Sequence, residues 1–377
     1  PPAFFARLAA FGGPKLLFIQ DEYRWVDRTA EAIRDLGISV VFTLLDPGIV
    51  RRVYRHPWLD GVRFEHTLAG FVPPGLVGRS VPDFAARPID VSYRARRLPA
   101  WLGAFGQEKW RIGERFARDA LAHGLRCDIS SAEGDRLYGE KWLSLLARSK
   151  AVLGTESGAS FIDFTGEVAE AADRYAAANP GAGFEEIAAR FLEGRDGDIV
   201  IKVISPRCFE AAALRTLMIL YPGNYSGVLE AGRHYVQLRH DHANMAEVVA
   251  LLRDRDRAQK IIDQAYREVA CAEQWQSAAL TRHFDAVLDG LPALSDWPSR
   301  APLGDQAVKA LRRENRRLLR RHLLLRRAAA WAGRCFAAYV ALCETRLPGA
   351  VGRPAAALSQ RAVARLRPWL RRRIFGQ

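Results

Sequence analysis

Cysteine is scarce and unpaired. The five residues Cys127, Cys208, Cys271, Cys335 and Cys343 are an odd number, widely scattered, with no CxxC pair. That pattern suits a reducing compartment and argues against a disulfide framework or a zinc ribbon. Long apolar runs are lacking as well. The nearest candidate, 328–343, is shorter than the ~18 residues a span needs and is broken by Arg334. No charged-then-apolar leader pattern opens the chain, so a cytoplasmic protein that does not cross a membrane by itself is expected. No repeat of solenoid period occurs. Net charge is also lacking where a nucleic-acid-binding fold would need it. The formal charge is +14, yet residues 301–377 carry eighteen Lys or Arg against three acids, and residues 1–300 carry thirty-eight against thirty-nine. The basicity belongs to the tail, so no specific nucleic-acid partner is expected.

What is present fits a globular α/β protein. The length of 377 residues, with 49% apolar and 26% charged side chains, allows two domains, each with its own core. Lys15–Gln20 is a continuous apolar run, the pattern of a strand buried on both faces. A helix follows with Val26, Ala30, Ile33 and Leu36 on one face and Gly37 at its end, then a second buried strand, Ile38–Leu45. This is a βαβ unit of a parallel sheet. Val62–Val72 reads as another short strand, ended by Pro73-Pro74-Gly75. The Pro-, Gly- and Arg-rich segment 73–88 reads as a crossing between lobes.

A second α/β series begins after it. Strands are expected at Ile89–Tyr93, Leu125–Ile129, Ala151–Gly154, Thr216–Tyr221 and Tyr235–Leu238. Helices are expected at Trp110–His123, Glu140–Arg148, Cys208–Leu214, Asn244–Arg253 and Arg255–Ala270, with an inserted helical pair within 163–200. The expected division is a partial N-terminal lobe over 1–82, a larger lobe over 83–291, and a linker with an Arg-rich helical tail over 292–377.

Ligands of open parallel sheets bind outside the carboxyl ends of the strands, which singles out four loops. Asp21 and Glu22 follow the first strand, where carboxylates can grip sugar hydroxyls or act as a base. Arg94, Arg96 and Arg97 follow the Ile89 strand. Gly103, Gly106 and Lys109 then open a helix, a loop suited to cradling a diphosphate. In the third loop, Gly154–Ser160, Glu156, Ser157 and Gly158 offer one carboxylate and close backbone approach. In the fourth, Ser205–Ala213, Arg207 and Glu210 sit at a helix start, where Glu210 can hold two ribose hydroxyls. A solvated turn competes with each of these readings. Tyr225, Ser226, His234 and Tyr235 are further candidates to line the same cleft. His240-Asp241-His242 has no third ligand in view, so no metal is expected.

Ser205-Pro-Arg-Cys-Phe-Glu210-Ala-Ala-Ala213 resembles the donor-lobe signature of group-1 nucleotide-sugar transferases and their spore-maturation-protein-like relatives. The run from Met218 through Gly223, Gly232 and Asp241 to Val269 is similar to the same lobe. Phe18–Arg24, Gly154–Ser160 and Tyr225-Ser226 resemble a bacterial glycosyltransferase subgroup, and the likeness covers residues 14–290.

That resemblance implies a GT-B fold of two Rossmann-like lobes. It also implies a nucleotide-sugar donor with no cofactor and no metal, and a saccharide or lipid-linked acceptor in bacterial surface glycan synthesis. Glu210 would then hold the donor ribose, and Lys109 with Arg96 or Arg97 would neutralise the diphosphate. Asp21, Glu22 and Glu156 become the catalytic candidates, and Arg94, Ser157, Gly158, Arg207, Tyr225 and Ser226 further donor contacts. Two positions depart from the family pattern. Lys202 stands where the signature has a glutamate, for which Glu156 is the substitute, and Arg215 stands where it has a glycine.

The first residue is Pro, and the family's acceptor lobe normally begins with about 60–100 further residues, so an earlier segment is expected. Arg97, Lys109, Glu156 and Glu210 should converge on one pocket. An epimerase of the same fold and a non-catalytic nucleotide-binding scaffold are the alternatives. The Arg-rich tail, 305–377, with interleaved Leu, Trp331, Phe336, Trp369 and Phe375, suits an anionic membrane surface on the inner face of the cell membrane.

Overall fold

In the computed structural model, which describes residues 2–291 and ten helical positions between 306 and 324, three parallel strands form a first sheet. They are β1 (Leu16–Phe18), β2 (Val40–Thr43) and β3 (Arg63–His66), in the order β1-β2-β3. Helix α1 (Pro2–Ala9) precedes them and belongs with the tail to a separate compact unit, whereas Gly13–Leu294 forms one unit of its own. Helix α2 (Val26–Leu36) buries Val26, Ala30 and Ile33 on one stripe. It ends where Gly37 turns left-handed, with φ +64, and donates its N–H to Arg34 O. Helix α3 (Val50–Val53) is a single turn beyond β2.

Two expectations for this sheet are corrected. The β1 strand is not buried on both faces: it lies at the edge, and Phe18 is 51% exposed, stacked on Phe42 with ring centroids 4.4 Å apart. The β3 strand spans four residues rather than most of 62–72.

The second sheet has five parallel strands: β4 (Ile89–Arg94), β5 (Cys127–Ser130), β6 (Ser149–Gly154), β9 (Leu217–Leu220) and β10 (Val236–Gln237). Their order is β10-β9-β6-β4-β5. The chain runs from β4 outward to β5, then returns to the other side of β4, so the connection reverses between β4 and β6. That reversal opens a crevice at the carboxyl ends of these two strands, the place where doubly wound sheets take ligands. Helices α4 (Gly103–Ala120) and α5 (Glu140–Arg148) cover this sheet.

Helix α4 starts seven residues before the expected Trp110. Its Gly113 lets the helix lie close on β4, since a Cβ there would stand 2.9 Å from the Tyr93 ring. Beneath the sheet, Arg87 is 2% exposed and donates to Pro82 O, Ser149 O, Thr216 Oγ1 and Leu214 O, pinning the amino ends of three strands.

The expected insertion forms as α6 (Glu167–Ala178) and α7 (Phe184–Phe191). At its base lies an antiparallel pair that the sequence pattern did not indicate, β7 (Ser157–Ala159) against β8 (Ile201–Val203). Ile162, Ile201 and Val203 are buried in the core of the first sheet, and Ala159 and Phe161 pack with Trp101 and Leu102 beside α4. The insertion therefore stitches the two sheets together. Helices α8 (Pro206–Ala213), α9 (Met245–Arg253) and α10 (Arg255–Ala265) complete the second layer. A last helix, α11 (Ser277–Asp289), was not expected. It returns to the first sheet, where Phe284 and Val287 pack on Val40 and Phe42. Two Rossmann-like parallel sheets, α/β throughout, face one cleft, which is the GT-B-like architecture expected. The 292–302 linker and Trp331, Phe336, Trp369 and Phe375 lie outside the described residues.

Candidate active site

The crevice at the β4–β6 reversal opens into a cleft of about 390 Å³, closed on its far side by the carboxyl ends of β1 and β2. Both sheets contribute to its lining, Gln20, Asp21 and Leu44 from the first and Arg96, Ser157 and Arg207 from the second. The seven sequence candidates Asp21, Arg94, Arg96, Lys109, Ser157, Gly158 and Arg207 all line it.

Their charges are unevenly matched. Arg94 is spent on the protein, donating to Asp128 Oδ1 at 2.6 Å and to the carbonyls of Tyr93, Asp128 and Asp135. Arg96, Lys109 and Arg207 form no ion pair among the described residues. Lys109 donates from Nζ to Ser157 Oγ at 3.0 Å, and Arg207 donates to the Arg94 carbonyl. Burial, with Arg207 and Arg96 beside it, pulls the Lys109 ammonium down to about 8, against a smaller opposing effect of Asp21. Across the cleft, Asp21 accepts from Tyr23 OH at 2.7 Å through Oδ1. Burial and that carboxylate hold the Tyr23 phenol above its ordinary range.

Six other candidates lie elsewhere. Arg97 is turned outward, paired with Glu114 at 2.8 Å and lying over Trp110. Glu22 points into the first-sheet core, 2% exposed, where it accepts from Thr43 Oγ1 at 2.6 Å, Tyr54 OH at 2.8 Å and the Leu44 N–H. Glu156 is likewise buried and accepts the Tyr225 N–H at 2.7 Å, with the Asn224 N–H also bonding to it. Asn224 is right-handed, at φ −84, and Tyr225 left-handed, at φ 48. Successive amides of such a turn form an anion-binding nest, and Glu156 fills it. Tyr225 is itself buried with its OH on Tyr221 O, and Ser226 Oγ accepts from Ile204 N. Glu210 accepts from Trp142 Nε1 at 2.7 Å, outside the cleft lining. Of the four residues expected to converge, Lys109 alone lines this cleft.

The expected diphosphate cradle at the start of α4 is also corrected. Asp196 of the insertion occupies that helix end, accepting from Ala104 N at 2.9 Å and from Ser160 Oγ at 2.5 Å. A protein carboxylate already meets the positive end of the helix, and the cation Lys109 stands further along the side of α4, facing the cleft. Lys202 faces away from the cleft, with Nζ 5.4 Å from the Phe105 ring centroid.

His242 bridges Asp119 Oδ2 at 2.7 Å and Tyr221 OH at 2.9 Å, a buried structural chain, and His234 bonds Glu268 at 2.8 Å. No group of three or more His, Cys, Asp or Glu fit to hold a metal occurs among the described residues. Tyr23, in the first candidate loop beside Asp21, lines the cleft too, and the residues missed in the sequence are Gln20 and the rim segment Arg136–Tyr138, with Tyr138 64% exposed.

Burial drives the Glu22 carboxyl up to about 7, against the hydrogen bonds of Thr43, Tyr54 and Leu44. A carboxyl raised in the folded state stabilises the fold fully below its unfolded value and loses that contribution as pH rises through about 7. Glu22→Gln, a permanently neutral stand-in, removes this loss. Its stability relative to wild type should therefore improve between pH 5 and 8 by up to about 3 kcal/mol. Urea unfolding at the two pH values measures the difference, and a pH-independent offset would show that Glu22 is ionised in the core.

No family model and no curated protein matches this chain. Solved structures do show similarity. An α-glucosyltransferase in complex with UDP-glucose and DNA containing an abasic site matches at 10% identity and a TM-score of 0.47, over 76% of this chain and 76% of its own. TarM matches at 11% identity and 0.43, over 76% of this chain and 53% of its own. Anabaena Alr3699/HepE in complex with UDP-glucose matches at 12% identity and 0.40, over 74% and 72%. The chain thus spans about half the length of TarM and about three-quarters of the other two.

Proposed function

We propose that this cleft transfers a hexose-type unit from a nucleoside-diphosphate sugar to a saccharide or lipid-linked saccharide acceptor, without a metal, in bacterial surface glycan synthesis. One observation carries the reading. Arg96, Lys109 and Arg207, three cations with no ion pair among the described residues, crowd at the topological switch point beside Ser157-Gly158 and face a carboxylate, Asp21. A buried ammonium set beside two guanidiniums with no carboxylate bonded to any of the three lacks a counter-charge, and a diphosphate supplies it in the geometry a guanidinium favours.

The chemistry follows from that placement. The bond between the anomeric carbon and the diphosphate oxygen breaks as the acceptor oxygen bonds to the same carbon. Negative charge grows on the departing diphosphate, where Lys109 and Arg207 stabilise it more strongly than in the ground state. The acceptor hydroxyl passes its proton to Asp21, whose Oδ1 is fixed by Tyr23. Glu22 and Glu156 have no part in this step, since one is enclosed in the first-sheet core and the other holds a backbone turn.

Calorimetric titration with a panel of nucleoside-diphosphate sugars tests the reading. At least one should bind, and Arg207→Ala should weaken it roughly 10- to 100-fold. No heat with any donor, or affinity untouched by Arg207→Ala, ends the proposal. Conversion of the donor into a different nucleotide sugar with no acceptor present would replace transfer by epimerisation.

A further inference from the structure

The ten described positions between 306 and 324 are all helical and all exposed. Lys309, Arg312, Arg313, Arg316, Arg317 and Arg320 recur every three or four residues, so they share one helix face. None of the six forms an ion pair among the described residues, and Arg316 Nε donates to the Arg312 carbonyl at 3.2 Å. The stripe ends in Leu323 and Leu324, 48% and 65% exposed. Like charges three and four residues apart repel and oppose the helix that carries them. Such a face gains stability where an anionic surface covers it.

We propose that this face docks on an anionic lipid surface, with the cations at the headgroups and Leu323 and Leu324 entering the acyl boundary. Two observations favour lipid over nucleic acid. A phosphate backbone rewards cations but leaves two exposed leucines in water, whereas a bilayer rewards both. Residues 1–300 carry thirty-eight basic against thirty-nine acidic side chains, so the body of the chain adds no net positive charge with which to follow a polyanion. The proposal stands on the helix face alone and does not depend on the transferase reading.

Flotation of the full chain with vesicles of phosphatidylcholine, with and without phosphatidylglycerol, at about 0.15 M salt is the test. The chain should float with the anionic vesicles alone. Arg312→Gln, Arg313→Gln, Arg316→Gln and Arg317→Gln together should weaken partition at least ~100-fold, since each cation is worth about fivefold. The same four changed to Lys should float as wild type does, which separates charge from any folding defect. Leu323→Ser with Leu324→Ser should remove the fraction that resists added salt. Equal flotation on neutral vesicles, or flotation untouched by the four Gln changes, overturns the proposal. A duplex oligonucleotide held at this salt by a chain that ignores the vesicles overturns it too.

Discussion

Lys109→Met should make the empty protein more stable and its binding of UDP weaker. The two effects have one cause. Burial, with Arg207 and Arg96 nearby, holds the ammonium at about 8 against an ordinary 10.5. A base whose folded value lies below its unfolded one costs stability wherever the unfolded chain is charged, so wild-type stability should climb as pH rises from 8 to 10.5. At pH 7 the cost is about 3 kcal/mol, and Met removes it while giving up a hydrogen bond to Ser157 worth about 1 kcal/mol. A net gain of about 2 kcal/mol in urea unfolding is expected, with no rise in stability between pH 8 and 10.5 in the variant.

Binding should move the opposite way. A charge-assisted bond to phosphate contributes about 2–3 kcal/mol, so affinity for UDP should fall roughly 30- to 150-fold at pH 7. Above pH 8 the wild type should itself lose about tenfold per pH unit, as the free protein sheds the proton that binding requires, and the Met variant should show no such decline. Calorimetry at pH 7 and 9, beside unfolding of the same samples, reads both quantities. A loss of stability together with affinity would make Lys109 a packing element and remove it from the phosphate site. Opposed signs are the mark of a functional charge held at the fold's expense.

The sequence displays the central strands well because a strand buried on both faces has nothing but apolar residues to show. The all-buried β2 and β9 appear as such runs. The edge strand β1 carries the same run, and its exposure reflects a missing neighbour rather than its own composition. The start of α4 was hidden for a different reason. Gly103 and Gly106 disfavour a helix, but the cap that secures it, Asp196, lies 92 residues from the Ala104 amide it accepts from. No window along the chain contains both. Helix α11 is similar, since its apolar face answers to Val40 and Phe42 more than two hundred residues earlier. Carboxylates were the least legible. Asp21 and Glu22 are adjacent and equally polar, yet one turns to the cleft and the other to the core. Loop position pointed to the strand ends that line the cleft, and only the fold separated the acids there.

Gly158→Ala should cost more than any change to a charged residue of the cleft, with stability and binding falling together. Gly158 has φ +141, and a Cβ there would stand 1.9 Å from the Ile201 carbonyl oxygen and 2.8 Å from its carbon. Both are backbone atoms of the strand it pairs with, so no side chain can swing aside and β7 must part from β8. That pair carries Ser157, the hydrogen-bond partner of Lys109, on one strand. The other strand carries Ile201 and Val203 into the first-sheet core. Separating them removes the stitch between the sheets as well as one wall of the cleft. Backbone strain and overpacking of this kind cost about 3–5 kcal/mol together, and UDP binding should drop below detection. Gly154→Ala, four residues earlier, is the control. Its Cβ would meet Leu220 Cδ2 at 2.7 Å, the end of a side chain that can rotate, so a loss of about 1 kcal/mol with binding retained is expected. If the two alanines behave alike in urea unfolding and calorimetry, the β7–β8 pair is not what joins Ser157 and Lys109 to the first sheet.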